Sequence, residues 1–365
     1  MVIKGLKGIA AAETAISHID GVIGQLIYRG LDVRDLTKNY SFEEVSYLLW
    51  HGEWPDKHQL IQLKNELKNQ RGLPDYIENL LISLPAEMNL MSVLRTAVSA
   101  SGPANKEKPT YSDAIRLTAM MPTIIAYRKS HLEGRAFIRP SAELDHVENY
   151  LYMLNGKRPS ESQRKALETY MILTLEHGMN ASTFSARVTV SSESDMYSAV
   201  TSAIGTMKGP LHGGAPSEVI AFLDEAASCG DIEKLIREKL NRGERLMGFG
   251  HRVYKTHDPR AVALKTVLLE NAGKDAWLDL SMEVETTAVN LLQELKPGRS
   301  LYTNVEFYAA AIMKSIQMES ELFTPTFSAS RVVGWTAHVM EQAENNTIFR
   351  PESHYIGRLP VKKSI

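Results

Sequence analysis

The chain of 365 residues holds one cysteine, Cys229. That excludes an internal disulfide and any cysteine-based zinc site, and it fits a reduced compartment. No run of roughly 18 apolar residues occurs, the length a membrane-spanning helix needs. Neither sign of charge dominates, with Lys+Arg 41 against Asp+Glu 43. A balanced surface gives no reason to expect nucleic acid as a partner. The opening MVIKGLKGIAAAETAISHIDG has neither the apolar core of a secretory signal nor the Arg/Ser-rich amphipathy of a transit peptide. A cytoplasmic protein is expected. No HExxH, no GxxxxGK[ST] and no GxGxxG after a strand pattern is found. His251 and His257 are separated by a turn rather than placed on one helical face. Neither a metal nor a dinucleotide cofactor is expected.

What is present is mostly helical pattern. Ile16 to Ile19, Asp20-Gly21 and Gln25 to Tyr28 read as a small β-hairpin. Ser41-Phe-Glu-Glu44 is a capping box ahead of Val45, Leu48 and Leu49. Helices are predicted near 57–70, 74–84, 88–100, 112–130, 142–155 and 161–176, the last after a Ser160…Gln163 capping box. More follow near 180–191, 195–206, 215–228, 231–241, 260–272, 276–295, 304–316 and 328–345. The polar stretch 102–110 reads as a loop. Strands and helices do not alternate and no fixed-period repeat is found, so the class is mainly α rather than doubly wound α/β. At this length two domains or one large one are expected. Glycine-rich breaks at 209–214 and 243–250 fit hinges beside a cleft, as well as ordinary turns.

The segment Gly248-Phe-Gly-His-Arg-Val-Tyr-Lys-Thr-His-Asp-Pro-Arg260 carries the densest chemistry. Asp258-Pro259 is a helix start, with Asp as N-cap and Pro at the first helical position. His251 and Lys255 therefore sit on a loop, and Arg260 in a first helical turn. A helix N-terminus with a guanidinium suits an organic anion. His212 also lies in a glycine-rich loop, Gly209-Pro-Leu-His-Gly-Gly214, where function concentrates. His338, beside Trp335 and Glu341 on a helical face, reads as a satisfied core residue. Tyr302-Thr-Asn-Val-Glu306 places a carboxylate at the head of an apolar helix. Desolvation there raises proton affinity and suits a general base; complementing the helix dipole is the competing reading. Arg331 and Arg350 stand among apolar neighbours, and such arginines need an anionic partner.

GFGHRVYKTHDPR, GPLHGGA, EHGMNAS, LYTNVEFY, FTPTFSASR and the terminal FRP, together with YRG near Arg29, resemble the citrate synthase family in content and order. The resemblance spans essentially the whole chain and favours the short, dimeric type. It implies a two-domain helical homodimer, with residues 1–215 and 320–365 as the large domain and 216–319 as the small one. It implies that the cleft closes over oxaloacetate and completes an acetyl-CoA site. By the same resemblance His212 bonds the thioester carbonyl, Glu306 removes the methyl proton and His251 polarises the oxaloacetate carbonyl. His177, Arg260 and Arg331 would hold oxaloacetate, Arg350 would reach the partner's site, and Lys255 and Arg252 would meet CoA phosphate. No resident cofactor is implied, since acetyl-CoA is a substrate. The family more often has aspartate where Glu306 stands. Alternatives within the resemblance are a 2-methylcitrate synthase acting on propionyl-CoA, or a non-catalytic member that binds CoA or a dicarboxylate. A purely structural helical protein would explain neither the isolated arginines nor the loop histidines.

Overall fold

A computed structural model describes residues 3–103, 108–213, 215–251, 253–270, 276–299 and 301–359. Sixteen α-helices, two short 3-10 helices and one three-stranded antiparallel sheet account for the regular structure of those residues. The mainly α class read from the sequence is observed.

The two long helices Tyr111–Leu132 and Phe323–Glu344 run through the centre. The second is buried nearly all round, with Val332, Val333 and Trp335 at 0 % exposure. A helix of that kind belongs inside a bundle. It packs against the helices Phe42–His51, Glu161–Thr174, Ala181–Ser191 and Met196–Met207. Both expected capping boxes form: Ser41 with Glu44 and Ser160 with Gln163.

Two expected helix starts need correction, and two elements were not expected. The last long helix begins at Phe323 rather than near 328. Pro325 lies in its first turn, where a missing N–H costs no helical hydrogen bond. The helix expected from 142 starts at His146, after the extended Asp145. A short helix, Val33–Asn39, was not anticipated, although Asp32 caps it by accepting from Arg34 N. Leu31–Asp32 forms a third strand beside Gln25–Tyr28.

The hairpin matters because of what it touches. In the register Ser17↔Tyr28 and Asp20↔Gln25, its turn comes against the 253–257 loop. Lys255 N donates to Gly21 O at 2.7 Å. A Cβ on Gly21 would lie 2.3 Å from Val253 O, and one on Gly24 2.6 Å from His257 O. Only glycine permits that approach. The N-terminal hairpin thus buttresses the loop that follows His251.

Candidate active site

The glycine-rich segment of the sequence and the entry to the Val305–Ser315 helix are tied edge to edge. Gly250 N donates to Tyr302 O at 2.7 Å, and Asn304 N donates to Gly248 O at 2.9 Å. Asn304 Nδ2 adds a bond to Gly250 O at 3.0 Å. Gly248 has φ +91°, and a Cβ there would strike the Phe307 ring at 2.9 Å. This pairing brings His251 alongside Glu306.

Asp258 makes the second tie. Its carboxylate is 1 % exposed. Oδ1 accepts from Arg260 N at 3.0 Å and from Arg260 Nε at 3.1 Å. Oδ2 accepts from Arg260 Nη2 at 2.9 Å and from Val305 N at 3.2 Å. One side chain therefore caps the Pro259–Leu269 helix, fixes the guanidinium and pins the helix that carries Glu306. The sequence showed the cap but not the reach to Val305.

The histidine tautomers follow from their partners. His251 Nδ1 accepts from Val253 N at 3.0 Å and Tyr254 N at 3.1 Å. Its proton therefore sits on Nε2, 3.4 Å from Arg260 Nη2. Two N–H donors facing one another make no bond; together they offer a seat for one oxygen acceptor. His212 Nε2 accepts from Ser182 N at 3.3 Å and lies 2.8 Å from Ser182 Oγ. Nδ1 then carries the proton available to a ligand. Ser182 Oγ is itself held, accepting from Trp335 Nε1 at 3.0 Å and lying 2.7 Å from Asn180 Oδ1. His177 Nε2 meets Tyr254 Oη at 3.2 Å.

Burial keeps all three rings neutral. It takes His251 down to about 4, helped by Arg260, and His212 down to about 4, helped by Arg331. His177 lies well below its ordinary value through burial, with Arg260 and Arg331 adding repulsion. Glu306 moves the other way. Burial lifts it to about 7 against the pull of Arg260, with Asp258 reinforcing the rise. A carboxyl poised near neutrality can take and return a proton. Burial disfavours the charge on Arg260, but Asp258 outweighs it and the guanidinium holds its proton more tightly than usual.

Arg331 is 1 % exposed. Its Nε donates to Thr174 O at 2.6 Å, and its guanidinium carbon lies 4.7 Å from the centre of the Phe327 ring. Those contacts orient the group and leave its terminal nitrogens for a ligand. The structure thus gathers His177, His212, His251, Arg260, Glu306 and Arg331 around one cleft through mutual bonds and fields. Tyr254, 1 % exposed, with its ring centre 4.7 Å from that of His251 and tilted to it by 37°, belongs there as well. No sequence signal beyond its place between His251 and Arg260 marked it.

A cavity of about 380 Å³ opens from Glu306, His251 and Asn304 toward Arg245, Lys296 and Arg299. Those three cations, unlike Lys255, line it. Lys255 instead holds the hairpin turn through its backbone. Arg252 lies outside the described residues. Arg350 is exposed in the irregular segment past the last helix. Among the described residues no cluster of His, Cys, Asp or Glu fits a metal, and no helix is long and apolar enough to cross a membrane.

The titration of Glu306 is directly measurable. Its carboxyl carbon, followed by NMR in selectively labelled protein, should titrate with a midpoint near pH 7; a midpoint near 4.5 would show the group to be ordinarily solvated.

Comparison with known proteins gives the family. The family model described as citrate synthase, C-terminal domain, matches residues 5–352. A citrate synthase of Haloferax volcanii is 41% identical, over 97% of this chain and 95% of its own. Citrate synthase 2 of Bacillus subtilis is 40% identical over the same shares, 97% and 95%. A 2-methylcitrate synthase of Shewanella oneidensis is 41% identical, over 98% of this chain and 96% of its own. Among solved structures, citrate synthase from Thermotoga maritima superposes with TM-score 0.87 at 37% identity, covering 100% and 98% of the two chains. Citrate synthase from Thermoplasma acidophilum, solved as a ternary complex with carboxymethyl coenzyme A and oxaloacetate, gives TM-score 0.89 at 30% identity, covering 100% and 98%. The chain belongs to the citrate synthase family.

Proposed function

We propose that this protein condenses acetyl-CoA with oxaloacetate and hydrolyses the resulting citryl-CoA to citrate and CoA, an acyl transfer in which the acyl group becomes an alkyl one. The observation that carries the reading is the meeting of two neutral imidazoles with fixed protons, one carboxyl near neutrality and two buried guanidinium groups.

The roles follow from the protons. The His212 Nδ1–H donates to the thioester oxygen while ionised Glu306 takes a methyl proton, giving the enol form of acetyl-CoA. Each well-placed donor to a developing oxyanion is worth about 3–4 kcal/mol. The nucleophilic carbon attacks the oxaloacetate carbonyl, and His251 Nε2–H supplies the proton to the oxygen that becomes the tertiary hydroxyl. Arg260, Arg331 and His177 hold the dicarboxylate and fix its carbonyl, turning an encounter into a positioned reaction. Water then cleaves the thioester. The long CoA substrate lies along the cavity lined by Arg245, Lys296 and Arg299, with Lys255 and Arg252 as further candidates for its phosphates.

The wider reading keeps residues 1–215 and 320–365 as a large domain and 216–319 as a smaller one that closes on it. It makes the protein a cytoplasmic homodimer in which Arg350 serves the partner's cleft. The exposure of Arg350 on its own subunit supports that role. A propionyl-CoA reaction giving 2-methylcitrate is the second reading, favoured by the similarity to 2-methylcitrate synthases. One methyl group in a pocket changes selectivity by only about 1–3 kcal/mol.

Thiol release with oxaloacetate decides between them. Faster release from acetyl-CoA supports citrate formation, faster release from propionyl-CoA the second reading, and none from either contradicts both. Glu306→Gln should abolish release while oxaloacetate still raises the melting temperature; near-normal turnover would remove Glu306 from the base role. Mixing inactive Arg350→Ala and His251→Ala subunits should restore part of the activity, because one cleft of the mixed dimer is then intact. Absence of any recovery, with mixed dimers demonstrated, would contradict a shared site.

A further inference from the structure

A second buried polar chain lies behind the cleft, and the reaction described above does not use it. Glu176 and His338 are both 0 % exposed. His338 Nδ1 accepts from Arg187 Nε at 3.0 Å and lies 2.9 Å from Arg187 Nη2. Guanidinium nitrogens only donate, so the His338 proton is on Nε2. That nitrogen stands 3.1 Å from Glu176 Oε1, within ion-pair distance but outside hydrogen-bond geometry. Ser17 Oγ donates to the same oxygen at 3.0 Å. The backbone of Glu176 is also fixed, since Tyr28 Oη donates to its carbonyl at 2.7 Å.

The other carboxylate oxygen, Oε2, is buried and has no hydrogen-bond partner. It lies against the Phe323–Glu344 helix at Gly334, where a Cβ would come within 2.5 Å of it. Gly334 is one turn beyond Arg331 on that helix, the spacing that shares a face. Arg331 in turn is bonded to Thr174 O, two residues before Glu176. The carboxylate therefore sits beside the buried guanidinium that faces the cleft. Their mutual field is strong enough to act on both: burial opposes the charge on each, while His338 and Arg331 favour ionised Glu176, and Glu176 favours charged Arg331.

A buried unpaired charge is costly, so a protein that must keep Arg331 charged in an empty cleft needs a permanent counter-charge. The same counter-charge weakens the pull on any anion that enters. We infer that Glu176, bonded by Ser17 and facing His338, is a positioning residue that acts through Arg331: it neutralises the guanidinium when the cleft is empty and limits the grip on carboxylates so that the product can leave. A trianionic product feels the limit more than a dianionic substrate. The inference rests on the reading of the cleft as an oxaloacetate site.

The test is calorimetric binding of oxaloacetate and citrate to the intact protein, run beside steady-state turnover. Removing the charge in Glu176→Gln should tighten oxaloacetate by about tenfold and citrate by more, for charges one helical turn apart in a partly screened interior. Product inhibition should deepen and kcat should fall. Glu176→Asp, which keeps the charge, should stay near the parent. His338→Gln, whose amide both accepts from Arg187 and donates to Glu176, should also stay near it. His338→Leu should shift in the direction of Glu176→Gln and decides the matter if that variant does not fold. Unchanged or weakened binding of both anions in the charge-removing variants overturns the inference. A parent protein that does not bind oxaloacetate overturns the underlying reading instead.

Discussion

The cleft depends on one carboxylate whose bonds all go to the protein itself. Asp258, 1 % exposed, accepts three bonds from Arg260 and one from Val305 N. Arg260 is thereby aimed at the seat it shares with His251 Nε2, and Glu306 is delivered one residue after Val305. Charge-assisted bonds of this kind are short, directional and about twice as strong as neutral ones. Without the anion, a buried arginine would lack its counter-charge and two helix starts would lose a common anchor.

The electrostatic arrangement divides the work. Burial leaves His177, His212 and His251 neutral, and the partners of His212 and His251 give each of those two one defined proton to donate. Burial also leaves Glu306 half ready to ionise near neutrality. The arginines stay charged because Asp258 and Glu176 stand behind them. One physical cause, exclusion of water, thus prepares donors and base together, while paired carboxylates keep the cationic grip intact.

Much of this was legible in the chain. Asp258-Pro259 announced a helix start, the glycines at 248 and 250 a tight turn, and Glu306 an unusual carboxylate in apolar company, because these are local rules of backbone and burial. The hairpin and both capping boxes were legible for the same reason. Contacts between distant segments were not. Nothing near Asp258 points to Val305, nothing near Gly21 points to Lys255, and nothing near Glu176 points to His338. His338 reads as a core residue and is one, yet its burial comes with a defined proton and an anionic neighbour. The start of the last helix was misplaced because a proline in a first turn looks like a break when seen only in sequence.

The most direct test of this account is the turnover of Asp258→Asn, measured as thiol release with oxaloacetate and acetyl-CoA on protein of unchanged helicity. The amide keeps one acceptor but loses the charge, so kcat/KM should fall by about 100-fold or more, with oxaloacetate affinity falling too. A variant that binds oxaloacetate and turns over like the parent would contradict the claim that this carboxylate organises the cleft.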